Sequence, residues 1–475
     1  MIKNIRFSVT LFTLIVCSIL SVEAQTKEIN ETYRWNFDVN DKVKVLLTNY
    51  DCDLQVKTSD NNNVKFEMFV IAEGDTEDIN KLMAFLSSYE PEASMSNVEL
   101  NTRFWNNWIS KSIGIAKRIR LTLKNKEKIT LSELKIRANL YLPKTSDFEL
   151  VSKYSTISIT DLNTIKIRSY QDKISGRSIM GNAIINCKYS KVEFINLGNT
   201  SLNLYDTDVV INKVEDMKCT SKYSKIKIKS AGETNLTSYT DKYNFEKTGN
   251  IKFNGKYSDL NAEKSLDTYL TLYDSNVAIR NINNLLVKSS KYSEMKFIGT
   301  GNINIMSLYT DNINIERAGS VNITTSKYSE FKIGTLTSFI QETSYNDKYS
   351  FNRVESVKLT TGKYSNFDID FITKNISVTN GYEIKSQIEG VSDAFDKLDI
   401  KGKYNKIGIS VPESLTARIL FKGKYGSCKV NNSNYEIKKH ISQSSMTDIE
   451  YIKKGGAAAT STLKVEGYSN KIYIQ

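Results

Sequence analysis

The sequence predicts an all-β protein: a β-solenoid of about 18-residue coils behind a small N-terminal β-rich head containing one short helix. Three observations carry that prediction. Lys-Tyr-Ser recurs at Lys153-Tyr154-Ser155, Lys188-Tyr189-Ser190, Lys222-Tyr223-Ser224, Lys256-Tyr257-Ser258, Lys291-Tyr292-Ser293, Lys327-Tyr328-Ser329 and Lys363-Tyr364-Ser365, with weaker copies at Tyr404 and Tyr425. A second series, Tyr170, Tyr205, Tyr239, Tyr273, Tyr309, Tyr345 and Tyr382, falls between its members. Fifteen steps from Tyr154 to Tyr425 then cover 271 residues, about 18 per step. Between the tyrosines, runs such as Ile226-Lys227-Ile228, Ile251-Lys252-Phe253 and Phe331-Lys332-Ile333 alternate apolar and polar residues, as strands with one buried face do.

The spacing excludes helical solenoids, because units rich in Thr, Ile, Tyr and Asn show no 3.6-residue apolar period. A coil this short cannot bury its own apolar face, so equivalent positions must stack on neighbouring coils. Sixteen coils spaced ~4.8 Å apart would make a rod on the order of 75 Å.

Taken in order, the chain opens with Lys3 and Arg6, an apolar run from Phe7 to Val22, and Val22-Glu23-Ala24. This is the pattern of a signal peptide over 1–24. No later stretch reaches the ~20 apolar residues of a spanning helix, so the mature chain is expected to lack a transmembrane segment. Cleavage removes two cations and one anion, taking the formal charge from +12 to +11. So mild a surplus suits an anionic glycan or headgroup surface and argues against nucleic acid. The exported chain keeps Cys52, Cys187, Cys219 and Cys428. They form no CxxC, so neither a metal nor a cofactor is expected, and pairing of Cys187 with Cys219 stays open.

Residues 25–150 break the rhythm and form the head. Trp35 to Val39, Val43 to Val45, Leu54 to Val56 and Val64 to Met68 read as strands. Asp75 to Leu86 reads as a helix, with Asp75 or Thr76 as cap and Ile79, Leu82, Met83 and Leu86 on one face. Trp105 and Trp108, followed by Lys111 and Arg118, form either a surface contact for a membrane, sugar or partner, or ordinary core.

The solenoid spans 151–431. Its tyrosines, Tyr189, Tyr223, Tyr257, Tyr292, Tyr328 and Tyr364 among them, read either as a stacked corner ladder or as a platform for planar ligands. The two-unit period is attributed to charge: lysines on alternate coils, with acidic neighbours such as Asp172, Asp206, Asp241, Asp274, Asp311 and Asp347 between them. Residues 432–475 read as an irregular segment followed by a closing coil at Leu463 to Ile474, expected to cover the open edge.

The head strands, the entry stretch Ala138-Asn139-Leu140-Tyr141-Leu142-Pro143-Lys144, and Phe148-Glu149-Leu150 before Lys153-Tyr154-Ser155 resemble the DUF4097-like adhesin proteins exported by Bacteroidetes. That resemblance implies adhesion and carries over no catalytic residues. The lone His440, in the irregular C-terminal part, has no evident catalytic partner, and the acids are dispersed or periodic. The expected function is therefore a non-catalytic binding or adhesin-like protein. It would recognise a glycan, an envelope component or a protein, with peripheral membrane contact also open. The expected location is the periplasm, the outer membrane or the cell surface. A structural envelope spacer and a polysaccharide-active β-helix enzyme are the alternatives.

Overall fold

The computed structural model describes residues 26–113, 116–431, 433–455 and 458–475. Residues 1–24, read from the sequence as a signal peptide, lie outside the described residues. The chain divides into two compact units, residues 1–182 with 189–191, and residues 183–188 with 192–475.

In the first unit, Thr26–Asp38 and Lys128–Pro143 flank Asn63–Asp75 in an antiparallel sheet. Its apolar side is covered by helix α1 (Thr76–Ser87), which buries Ile79, Leu82 and Leu86. Asp75 caps the helix by accepting the Glu77 N–H at 3.0 Å. Asp78, in the first turn, accepts the Thr130 N–H at 2.9 Å and ties α1 to the sheet. Coil register begins inside the stretch read as head. Lys44–Tyr50 and Cys52–Ser59 pair in parallel with Asp147–Lys153 and Thr156–Leu162.

In the second unit the earlier coils supply two strand segments, such as Lys242–Thr248 and Ile251–Lys256, which merge into one long strand per coil from Asp259–Tyr273 to Asn366–Tyr382. The two segments pair in parallel with the coils before and after. The interior is made of columns of equivalent residues. One runs Ile226, Tyr243, Leu260, Val277, Met295, Ile313, Phe331, Tyr349, Phe367. Tyr349 stacks between Phe331 and Phe367 with ring centroids 5.0 and 4.3 Å away. Burying each such side chain stabilises by roughly 1.5–3 kcal/mol. This is how a coil too thin for a core of its own becomes stable.

The C-terminal end departs from expectation in two ways. Residues read as irregular form an antiparallel hairpin, Tyr435–Gln443 with Met446–Lys453, which adds to the edge of Ala417–Lys424. The last coil does not close the array. Ser461–Tyr468 lies between Lys397–Lys403 and Ala417–Lys424, and Lys471–Ile474 lies between Lys406–Ile409 and Ser427–Val430. The hairpin covers the edge instead. The insertion depends on glycine. Gly402 and Gly467 are paired, with φ of 152° and 132°, and a Cβ on Gly467 would come within 1.9 Å of the Gly402 carbonyl oxygen.

Candidate functional site

The site is built from the corner outward. In one coil type the tyrosine itself is left-handed: Tyr223, Tyr257, Tyr292, Tyr328 and Tyr364 have φ of 55–60°. In the other type the residue after the tyrosine takes that conformation, as at Asp206, Thr240, Asp274, Thr310 and Asn346. The two tyrosine series are thus offset by one residue. Lys256 stands opposite Tyr239 on one side and Tyr273 on the other, and Lys327 opposite Tyr309 and Tyr345.

A left-handed non-glycine residue costs roughly 1–2 kcal/mol, and the next position offsets it. There Ser, Thr, Asp or Asn side chains bind backbone groups of neighbouring coils. Ser258 Oγ accepts the Asp241 N–H at 3.2 Å and donates to the Lys256 carbonyl at 2.9 Å. Asp311 accepts the Ser293 and Tyr309 N–H groups at 2.8 and 2.9 Å, and the Ser290 hydroxyl at 2.8 Å. Asp347 makes the equivalent bonds to Ser329, Tyr345, Ser344 and Ser326. Burial raises the Asp172, Asp311 and Asp347 carboxyls above their ordinary value, and these hydrogen bonds oppose the rise.

The offset makes a ladder of edge-to-face rings. Within the second unit it runs from Tyr205 to Tyr404 and on through Tyr468 to Tyr425, with centroids 5.4–6.1 Å apart and interplanar angles of 69–88°. In the first unit Tyr154, Tyr170 and Tyr189 form the same contacts. Such geometry is preferred over face-to-face stacking, and only alternating ring positions provide it.

The ladder corrects the attribution of the two-coil period to charge pairing. Lys222 lies over the Tyr223 and Tyr239 rings at 4.7 and 4.8 Å, and Lys256 over Tyr257 and Tyr273, both at 5.4 Å. Nearby ion pairs join other residues, Lys242 to Asp259, Lys296 to Glu294 and Lys332 to Glu330. Asp172, Asp241, Asp311 and Asp347 point inward as corner acceptors. The alternation continues where the sequence hides it. Tyr50 precedes left-handed Asp51 and faces Lys153, with the Arg103 guanidinium 4.8 Å from its ring. Tyr468, from the inserted coil, separates Lys403 and Lys424.

A groove about 890 Å³ in volume crosses the second unit, lined by two outward columns on either side of a buried one. Lys227, Asn244, Asn261, Ala278, Lys296, Asn314 and Lys332 form one wall, and Lys229, Glu246, Glu263, Arg280 and Glu316 belong to the other. Ile228, Phe245, Ile279, Phe297 and Ile315 lie between them. Asn261 donates to Asn244 at 3.3 Å, and Arg280 lies 3.5 Å from Glu263. The walls offer amides and charges of both signs, interrupted by Ala278, Ile298 and Gly334, over a floor that narrows to small Ala262. That chemistry suits an extended ligand that presents polar groups to the walls and apolar faces to the floor.

Of the other sequence candidates, Trp105 is buried, edge-on to Phe104 at 4.8 Å and 4.9 Å from Trp108, so it is core and offers no surface contact. Trp108 is half-buried and Arg118 exposed. The Lys111 side chain lies outside the described residues. Tyr223, Tyr257, Tyr292, Tyr328 and Tyr364 are partly exposed on the corner. No disulfide joins Cys187 to Cys219, because the register sets Leu204 against Cys187 and Leu202 against Cys219. His440 is exposed in the terminal hairpin. Among the described residues, no group of three His, Cys, Asp or Glu converges as a metal site would, and no helix is long and apolar enough to cross a membrane.

No family model and no curated protein matches the chain. Three solved structures show a remote likeness. A "putative cell adhesion protein" from Clostridium sporogenes is 8% identical over 94% of this chain and 99% of its own, with a TM-score of 0.15. A "putative adhesin" from Parabacteroides merdae is 12% identical over 66% of this chain and 96% of its own, at 0.21. A "putative lipid binding protein" from Parabacteroides distasonis is 11% identical over 70% of this chain and 97% of its own, at 0.20. Likenesses at these scores carry no argument about what the chain binds.

Proposed function

We propose that the chain is an exported, non-catalytic binding protein of adhesin type, which holds an extended envelope glycan or protein segment along the groove of its second unit. In this reading residues 1–24 direct export, 25–150 form the head, 151–431 the binding array and 432–475 its terminus. The working location is the periplasm, the outer membrane or the cell surface. One observation carries the proposal: the groove continues the same two outward columns from Lys227 to Ser350, polar except at Ala278, Ile298 and Gly334. A local substrate cleft would break that repetition. A repeated wall fits a repeated ligand.

The test is a glycan-array and envelope-fraction screen with residues 25–475, beside an Ala278→Trp variant that fills the groove. Ala278 points partly outward, so the fold has room for the larger ring. Selective binding by the parent chain, weakened about tenfold or more in the variant, is expected. Equal binding by both proteins would refute the groove reading. No binding at all would favour the envelope spacer, and release of shortened glycan would favour the enzyme.

A further inference from the structure

We propose that the tyrosine–lysine corner of the second unit is a separate binding surface, for a linear acidic polysaccharide with one anionic group per disaccharide. The groove reading is not needed for this, because the corner lies on different residues.

Two features of the corner share one period, both set by the one-residue offset of the tyrosines. The lysines Lys222, Lys256, Lys291, Lys327 and Lys363 alternate with tyrosines along one column, so cations recur every second coil. Coils about 4.8 Å apart make that interval roughly 9.6 Å. The rings alternate too, each near-perpendicular to the next, so rings of one orientation also recur every second coil. One pyranose of an extended chain spans about one coil. A disaccharide repeat would therefore meet one ammonium and one ring face of fixed orientation each time.

Lys222, Lys256 and Lys291 are prearranged over rings, and among the described residues none of these three, Lys327 or Lys363 is held in an ion pair. Lys256 rests over the Tyr239, Tyr257 and Tyr273 rings at 5.7, 5.4 and 5.4 Å, and Lys291 over Tyr309 at 6.0 Å. Most acids close by are engaged elsewhere: Glu294 with Lys296, Glu330 with Lys332, and Asp311 and Asp347 with buried hydroxyls; exposed Asp206 and Asp274 sit on the corner beside Lys222 and Lys291 without forming an ion pair with them. Next to the lysines, Thr271, Thr325, Thr343 and Thr361 occupy outward positions two residues before the corner and add hydroxyls suited to a sugar. A duplex nucleic acid would need cations on a broader and denser front.

The test measures binding of a hyaluronan-type polymer, with one carboxylate per disaccharide, against the same polymer with its carboxyls reduced to alcohols. Three full-length proteins are compared: the parent, a corner variant with Lys256, Lys291, Lys327 and Lys363 changed to Gln, and a control with Lys218, Lys247, Lys252 and Lys358 changed to Gln. All eight side chains are exposed, and melting curves verify that each protein is folded. The parent and control are expected to bind the acidic polymer alike, and the corner variant about tenfold more weakly. The reduced polymer should bind all three weakly. Equal loss in corner and control variants would show bulk charge alone and overturn the proposal. So would undiminished binding by the corner variant, failure of the parent to bind, or tighter binding to duplex DNA.

Discussion

At the residue scale, the corner holds a tyrosine in a backbone conformation that suits glycine. Tyr257 combines φ of 55° with ring contacts to Tyr239 and Tyr273 at 5.6 and 5.5 Å. Each contact is worth roughly 0.5–1.5 kcal/mol, enough together to outweigh the backbone strain. Changing Tyr257 to Ala should destabilise by about 2–3 kcal/mol, since the rings go and the strain stays. Changing it to Gly should cost about 1 kcal/mol less than Ala, because glycine relaxes the left-handed turn. Denaturant melts of the two variants check the order, and Ala proving the milder change would contradict it. The buried acids give a pH signature. Asp172, Asp311 and Asp347 hold protons more tightly folded than unfolded. Their stabilising contribution is complete below the ordinary carboxylate value of 3.8 and is lost as pH rises through their folded values. Partly exposed Glu149, Asp161 and Glu330 are shifted the other way, and their contribution falls away only at lower pH. Melting temperature should therefore gain from acidification as pH falls through the folded values of these three acids toward 3.8, and gain less in Asp347→Asn. An identical slope in parent and variant would sink this account.

At the element scale, the coil length was legible in the sequence because tyrosine recurs wherever a corner recurs. The one-residue offset was not. Aligning Tyr154 with Tyr170 hides the fact that Ser155 and Asp172 do the same work at the corner, joined by the Ser155 N–H to Asp172 bond of 2.8 Å. Once those acceptors are aligned, Tyr50-Asp51-Cys52 and Tyr468-Ser469-Asn470 emerge as corners of the Tyr170 type. The long excursion between Ser59 and Asp147 had disguised the first. The groove was illegible for another reason: its columns are ordinary strand residues, and only stacking turns them into walls. Glycine placement is equally a product of stacking. Gly467→Ala should dislodge the last coil, since its Cβ would strike a backbone oxygen that cannot move aside. Amide exchange in Ser461–Tyr468 should accelerate strongly while Lys242–Thr248 stays protected. Uniform protection would contradict the tight approach.

At the scale of the whole molecule, corner chemistry explains why spatial order departs from chain order. Two consecutive coils in sequence, Lys403-Tyr404 and Lys424-Tyr425, are of the same type and would set lysine against lysine if stacked directly. The terminal coil brings Tyr468 between them, 5.5 Å from the Tyr404 ring and 5.4 Å from Tyr425. Alternation is thereby preserved, and a like-charge contact is avoided. Pairwise cysteine cross-linking at exposed Lys401 and Lys422 and half-buried Glu466, with Cys428 changed to Ser, tests this arrangement most directly. The register pairs Glu466 with both lysines. Lys401→Cys with Glu466→Cys, and Glu466→Cys with Lys422→Cys, should each oxidise readily to a disulfide. Lys401→Cys with Lys422→Cys should not, at about twice the ~4.8 Å strand spacing and beyond the ~7 Å reach of a disulfide. Cross-linking of that last pair alone would mean that the coils stack in chain order, and would contradict the ladder as the rule of assembly.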